Sequence, residues 1–266
     1  MKNTFSKRFG SMLKVDFKRL FLSRSFYIIV AACLLVPILI LVMTTMMDGS
    51  VSVDPQTGKE TVIEGFDNVW QIIGTVSGAS EDASASMDMS ITSMCNINML
   101  YFAIAVLVCI FVADDFRSGY AKNLFTVRAK KTDYVASKTL VLFVGSAFMM
   151  LAFFIGSIVG GVVSGLSFEM VGFGALNLVW CILSKIVLVS VFVPIYLIMS
   201  VVAKQKLWMS ILLSMMVGMF LFMMIPMLTP LNATLGNVLI CAVGGVLFAV
   251  GLGAISNVVL KKTSLV

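Results

Sequence analysis

Six long apolar runs divide the chain, and the polar stretches between them carry nearly all of its charge. They cover residues 25–47, 96–113, 139–164, 175–202, 207–228 and 235–260. At about 1.5 Å per helical residue, each approaches or spans the roughly 30 Å hydrocarbon core of a bilayer. Helix is the required form, because lipid offers no partner to an open backbone N–H or C=O. The expected fold is all-α and polytopic: one transmembrane domain over residues 1–266, with six spans.

A different pattern precedes the first run. In residues 1–24, Phe5, Phe9, Met12, Leu13, Phe17, Leu20 and Phe21 recur at helical spacing, while Lys7, Lys14 and Lys18 fall on the opposite side. This predicts an amphipathic helix lying in the membrane interface, with lipid as its partner. Asp16 interrupts the apolar stripe and is expected to face a partner or water. Phe9, Asp16, Phe17 and Arg19 are the candidate functional positions of this interfacial helix.

The polar stretch 48–95 holds eight acidic residues against one lysine, Lys59. It reads as a solvated external loop whose field can attract cations, and its second half, 77–93, reads as flexible. The basic residues lie elsewhere. Apart from Lys59 and Lys185, they fall before the first run, in 114–138, at Lys204 and Lys206, or at Lys261 and Lys262. The positive-inside rule then places both termini and segment 114–138 in the cytoplasm.

Composition agrees with a membrane protein. Some 60% of residues are hydrophobic and 12% charged, against about 25% charged in soluble domains. The net charge of +6 is explained by membrane orientation, so no nucleic-acid partner is expected. Of the five cysteines, Cys33, Cys109, Cys181 and Cys241 lie in apolar runs and Cys95 at the edge of a polar stretch, with no disulfide or zinc spacing.

The chain contains no histidine, and its only Gly-Lys pair, Gly58-Lys59, is followed by Glu60 rather than Ser or Thr. No phosphate cradle is therefore expected in this chain, nor enzymatic activity, nor a bound cofactor. Lys185 is the one ionisable residue inside an apolar run. About 28 Å of helix separates it from Lys204, so it is expected to snorkel to the outer interface or face an outward cavity, a midplane site being the competing reading. Lys185, Met216 and Met223 are the candidate lining of a translocation path.

Gly156, Gly160, Gly161 and Gly165 make two G-x-x-x-G spacings suited to close helix packing, and Pro37 and Pro194 are expected to kink their helices. Met87, Met89, Met94, Cys95 and Met99 form a soft-ligand cluster that would select Cu(I), although the spacing is irregular.

Segment 113–138 carries a resemblance. Asp115, Gly119, Lys122, Leu124, Arg128, Ser137 and Lys138 occupy the places of the acidic-x-x-x-Gly-Thr, Lys-x-Leu-Leu, basic turn and Ser-Lys pattern of permease subunits of type-2 ABC transporters. Tyr120 stands where that pattern has Thr. Residues 15–26 also resemble the family's interfacial helix.

The resemblance implies a membrane subunit without ATPase activity, which pairs with a second permease copy or homologue and with cytoplasmic ABC ATPase subunits that hold ATP and Mg. It implies a coupling helix between the second and third spans, with Asp115, Gly119, Tyr120, Lys122, Leu124, Phe125 and Arg128 as ATPase-coupling residues. The location implied is a bacterial plasma membrane. The compact form is similar to the antimicrobial-peptide and bacteriocin export and immunity group, so an amphipathic or hydrophobic substrate moved outward is the expected function. An ATP-independent sensor or scaffold, and a copper-linked permease, are the alternatives.

Overall fold

The computed structural model describes residues 5–53, 60–62, 65–76, 95–126, 131–203, 206–222 and 224–262. The first two helices are α1 (Phe5–Leu22) and α2 (Arg24–Met47). Next come α3 (Leu100–Arg117), the short α4 (Tyr120–Thr126) and the long α5 (Lys131–Ser164). The chain closes with α6 (Ala175–Ala203), α7 (Leu207–Phe222), α8 (Met224–Leu228) and α9 (Leu235–Lys262).

Five of these are long and apolar enough to cross a bilayer: α2, α3 with its preceding turn, α5, α6 and α9. The run expected as a single span over 207–228 is described as α7 and α8, helical on either side of residue 223. Met223, between them, lies outside the described residues. With 16 residues, α7 is about 24 Å long.

The core lies around α3 and α6, each with 67% of its most apolar stretch buried, whereas α2 and α9 reach only 22% and 11% and form the periphery. Helix α6 packs on α9, α3 and α7, while α5 packs on α2 and α1. A glycine step brings α2 and α5 together. A Cβ on Gly156 would lie 2.2 Å from the Leu34 carbonyl oxygen, and one on Gly160 would lie 2.9 Å from Ile38 Cα. Only glycine permits backbones this close. Both α2 and α6 continue as helix through Pro37 and Pro194.

Helix α5 begins eight residues before the apolar run that announced it. Its first two turns carry Lys131, Asp133 and Lys138, whose polarity hides them from a hydropathy reading. Tyr134, Val135, Ser137 and Lys138 are nevertheless buried there.

At the opposite end of the bundle, the stretch expected to be a solvated loop is partly core. After a short hairpin of β1 (Val51–Val53) and β2 (Glu60–Val62), paired antiparallel with Val51 opposite Val62, the chain turns inward and buries Phe66, Val69, Trp70, Ile72 and Ile73. A run this short cannot span a membrane, but its apolar density suffices to plug the bundle end.

Val69 N donates to Ser167 O at 3.1 Å and Leu231 N to Thr75 O at 2.8 Å, and Trp70 Nε1 donates to Phe168 O at 3.0 Å. Three loops are thereby pinned into one cap. Residues 77–94 lie outside the described residues, and with them the segment read as flexible and Met87, Met89 and Met94 of the proposed copper cluster.

Candidate functional site

Helix α1 lays Met12, Asp16 and Leu20 along its innermost line, one turn apart, with Lys7, Lys14 and Lys18 exposed. The carboxylate embedded in this apolar line needs a partner. It finds Lys138, in the second turn of α5, whose Nζ stands 2.8 Å from Asp16 Oδ1 and 2.7 Å from Asp115 Oδ2 at the end of α3.

Neighbours complete the shell. Ser137 Oγ donates to Asp16 Oδ2 at 2.6 Å, and Tyr134 OH donates to Asp115 Oδ2 at 2.8 Å. Arg19 Nη1 donates to Asp115 Oδ1, and its guanidinium lies 4.1 Å over the Tyr120 ring of α4. Lys138 Nζ sits 4.2 Å over the Phe111 ring.

Asp16, Asp115 and Lys138 are fully buried. Taking charges out of water costs several kcal/mol per ion unless geometry and hydrogen bonds offset it. Here two carboxylates face two cations, and the site as a whole is neutral. Burial acts to lower the Arg19 pKa, but the adjoining Asp115 carboxylate more than offsets it, so Arg19 is raised and keeps its charge. Burial, reinforced by the Asp16 and Asp115 carboxylates, pushes the Tyr120 phenol up to about 12 and keeps it neutral. A second pair, Arg8 Nε to Asp133 Oδ2 at 3.4 Å, joins the start of α1 to the start of α5.

Gly119 makes the turn between α3 and α4. Ser118 N donates to Asp114 O at 2.9 Å, and Gly119 then takes φ +71°, in the left-handed region. Helix α4 thus starts beside Arg19 rather than extending α3. Within α4, Ala121 is buried and Leu124 and Phe125 are half-buried. The Phe125 ring meets Tyr134 edge-on at 5.4 Å. These two apolar residues, expected to face a partner, turn toward their own bundle. The exposed side of α4 presents Lys122, Asn123 and Thr126. Arg128 lies outside the described residues. Phe9 and Phe17 are half-buried on α1, with Phe17 stacked on Phe21 at 6.1 Å.

The structure corrects the expectation for Lys185. Its side chain is fully buried beneath the cap. Nζ donates to Asn98 Oδ1 and to Thr229 Oγ1, both at 2.9 Å, so folded polar groups replace the water that snorkelling would supply. Met216 is 56% exposed and borders a surface groove of about 550 Å³ with Phe102, Trp208 and Met219. Lys185 does not line that groove. Met223, the third residue expected along a path, lies outside the described residues. Among the described residues no cluster of His, Cys, Asp and Glu has the arrangement of a metal site.

Sequence reasoning singled out Asp16, Asp115 and Arg19 separately and did not assign Lys138, Tyr134 or Ser137 to a site of their own. The available signal was a lone acid on an apolar stripe of α1 and a lone lysine at the edge of an apolar run.

The family described as ABC-2 family transporter protein matches residues 12–221, a range that contains the whole ionic cluster. No curated protein and no solved structure matches.

Proposed function

The chain belongs to the ABC-2 transporter family and is a multi-pass membrane protein, the permease subunit of an ABC transporter. From that premise we propose that it works as an exporter in a bacterial plasma membrane, with both termini in the cytoplasm. In this family the permease normally works with an ATPase subunit, and here that separate subunit hydrolyses the ATP. Two permease copies or homologues pair to form the pathway, and the substrate is amphipathic or hydrophobic. Helices α7 and α8 together make a sixth crossing, the two being in sequence and separated by one residue. Helix α1 lies at the lipid interface, its lysines toward the headgroups.

The observation that carries this reading is the ionic cluster under α4. A partner pressing on α4 moves Tyr120, and through Arg19, Asp115 and Lys138 the push reaches α1, α3 and α5 together. Packed and charge-paired elements of this kind move as rigid bodies rather than deforming. The docking side is the exposed Lys122, Asn123 and Thr126 edge, where substitution leaves the core untouched.

The test is co-purification of the chain with its ATPase, followed by ATP-driven uptake in inverted vesicles. Lys122→Glu with Thr126→Glu is expected to fold and insert but to lose at least tenfold in ATPase association. Unchanged association and uptake would remove α4 from the docking role. No ATPase recovered with the wild-type chain would favour the ATP-independent scaffold.

A further inference from the structure

The cap at the far end of the bundle encloses a cavity of about 670 Å³ that the transport reading does not use. Its walls come from the three pinned loops: Asp67, Asn68 and Trp70 from the first, Ser167 and Glu169 from the second, and Leu231 from the third. The size suits one drug-sized molecule. The walls are also fixed in place, because Asn68 Nδ2 donates to Glu169 O at 2.5 Å in addition to the backbone ties between loops.

The lining is chemically one-sided. Two carboxylates, Asp67 and Glu169, border the cavity, and among the described residues no basic side chain does. Both are exposed. Among the described residues neither carboxylate is held in a hydrogen bond or ion pair; only the backbone N–H of Asp67 and the backbone atoms of Glu169 take part in loop bonding. The surrounding loop is acidic throughout, so its summed field attracts cations. Trp70, Val171 and Phe173 add an apolar and aromatic surface to the same lining. An indole ring beside carboxylates serves an organic cation twice, by apolar contact and by cation–π attraction.

Lys185 closes the cavity from below on one flank. A Cβ on Gly74, which lines the cavity with Thr75 and Leu231, would come within 3.9 Å of the lysine Nζ. The lysine amine therefore lies under that flank, held by Asn98 and Thr229, and the carboxylates of Asp67 and Glu169 are left as the charged groups of the lining.

We propose that this cavity is a binding site for an amphipathic organic cation, its charged group between Asp67 and Glu169 and its apolar body along Trp70, Val171 and Phe173. The site rests on the transport reading only for its address on the outer face. Binding itself requires neither the ATPase nor turnover.

The experiment uses the full chain in phosphatidylcholine nanodiscs, where both faces are open, with empty discs as the lipid blank. The probes are rhodamine 6G, a monocation, and fluorescein, a xanthene of opposite charge, followed by anisotropy. Saturable rhodamine 6G binding above the blank is expected, with none for fluorescein. Asp67→Asn with Glu169→Gln should weaken rhodamine 6G binding at least tenfold. Val171→Arg, which places a cation at a residue 71% exposed and so leaves the fold intact, should do the same. Binding equal to the wild type in both variants, or only the non-saturable uptake of empty discs, would overturn the site. Saturable rhodamine 6G binding by a wild-type chain that recovers no ATPase would overturn the transport reading alone.

Discussion

At Lys138 one ammonium serves two carboxylates from two different helices, and no water reaches any of the three groups. Removing the lysine strands Asp16 with Ser137 alone and leaves Asp115 to Arg19 and Tyr134. Lys138→Met is therefore expected to cost about 3–5 kcal/mol, the usual penalty for breaking a buried pair from one side. Asp16→Asn combined with Lys138→Met should cost less than the two changes summed, which a double-mutant cycle of thermal unfolding in detergent measures. Simple additivity would show that the contact is not energetically coupled. Lys185 sets a contrasting case, since its partners are neutral. Asn98→Leu leaves a buried ammonium with Thr229 only, whereas Lys185→Met leaves two neutral groups short of a bond at about 1–3 kcal/mol. The asparagine change should lower the melting temperature more. Asp16 was conspicuous in the sequence because a charge in an apolar stripe demands compensation. Its partner was not legible, because the two residues are 122 positions apart and only the packing of α1 on α5 joins them.

Helices, rather than residues, decide how the cluster is presented. Gly119 takes a left-handed conformation with open space around its missing Cβ, so Gly119→Ala isolates backbone strain, about 1–2 kcal/mol. The expected result is a folded protein whose α4 is reoriented, with ATPase association weakened severalfold. An unaffected variant would mean that the turn does not aim α4. Gly156→Leu acts differently, forcing a side chain into the Leu34 carbonyl and Pro37. That overpacking should cost about 3 kcal/mol, visible as a lowered melting temperature and faster proteolysis between α2 and α5. The G-x-x-x-G spacing made this contact legible from sequence, though not its partner helix. The start of α5 was not legible, since its charges, buried by pairing, look like a loop when hydropathy is averaged. Phe125 likewise reads as a free anchor until Tyr134 is placed beside it.

Across the whole molecule, polarity along the chain is the surest guide, and its weakness lies where short apolar clusters fold back as plugs. The five helices long enough to cross a bilayer follow from length and hydropathy alone. The inward turn of Phe66 to Ile73 does not, because burial there depends on three loops meeting. Orientation is open to direct measurement. Four of the five cysteines are buried and Cys95 is half-buried, so Cys95→Ser provides a quiet background. In intact cells a membrane-impermeant maleimide should then label Ser50→Cys and spare Lys122→Cys. The reverse pattern would invert the topology.

Helix α5 has 34 residues and so is a rod of about 51 Å, some 20 Å longer than the hydrocarbon core. Its glycine step against α2 is a point of close backbone approach, which suits it as a fulcrum. The arm from Gly156 back to Lys138 is about 27 Å, and the arm forward to Gly165 about 13 Å. The rod is then an unequal lever that trades travel for force. A swing of about 4 Å at the long arm's tip arrives as about 2 Å beyond Gly165, enough to part the 3.1 Å hydrogen bond between Val69 and Ser167. A stroke at one end of the rod would thus be felt in the cap at the other.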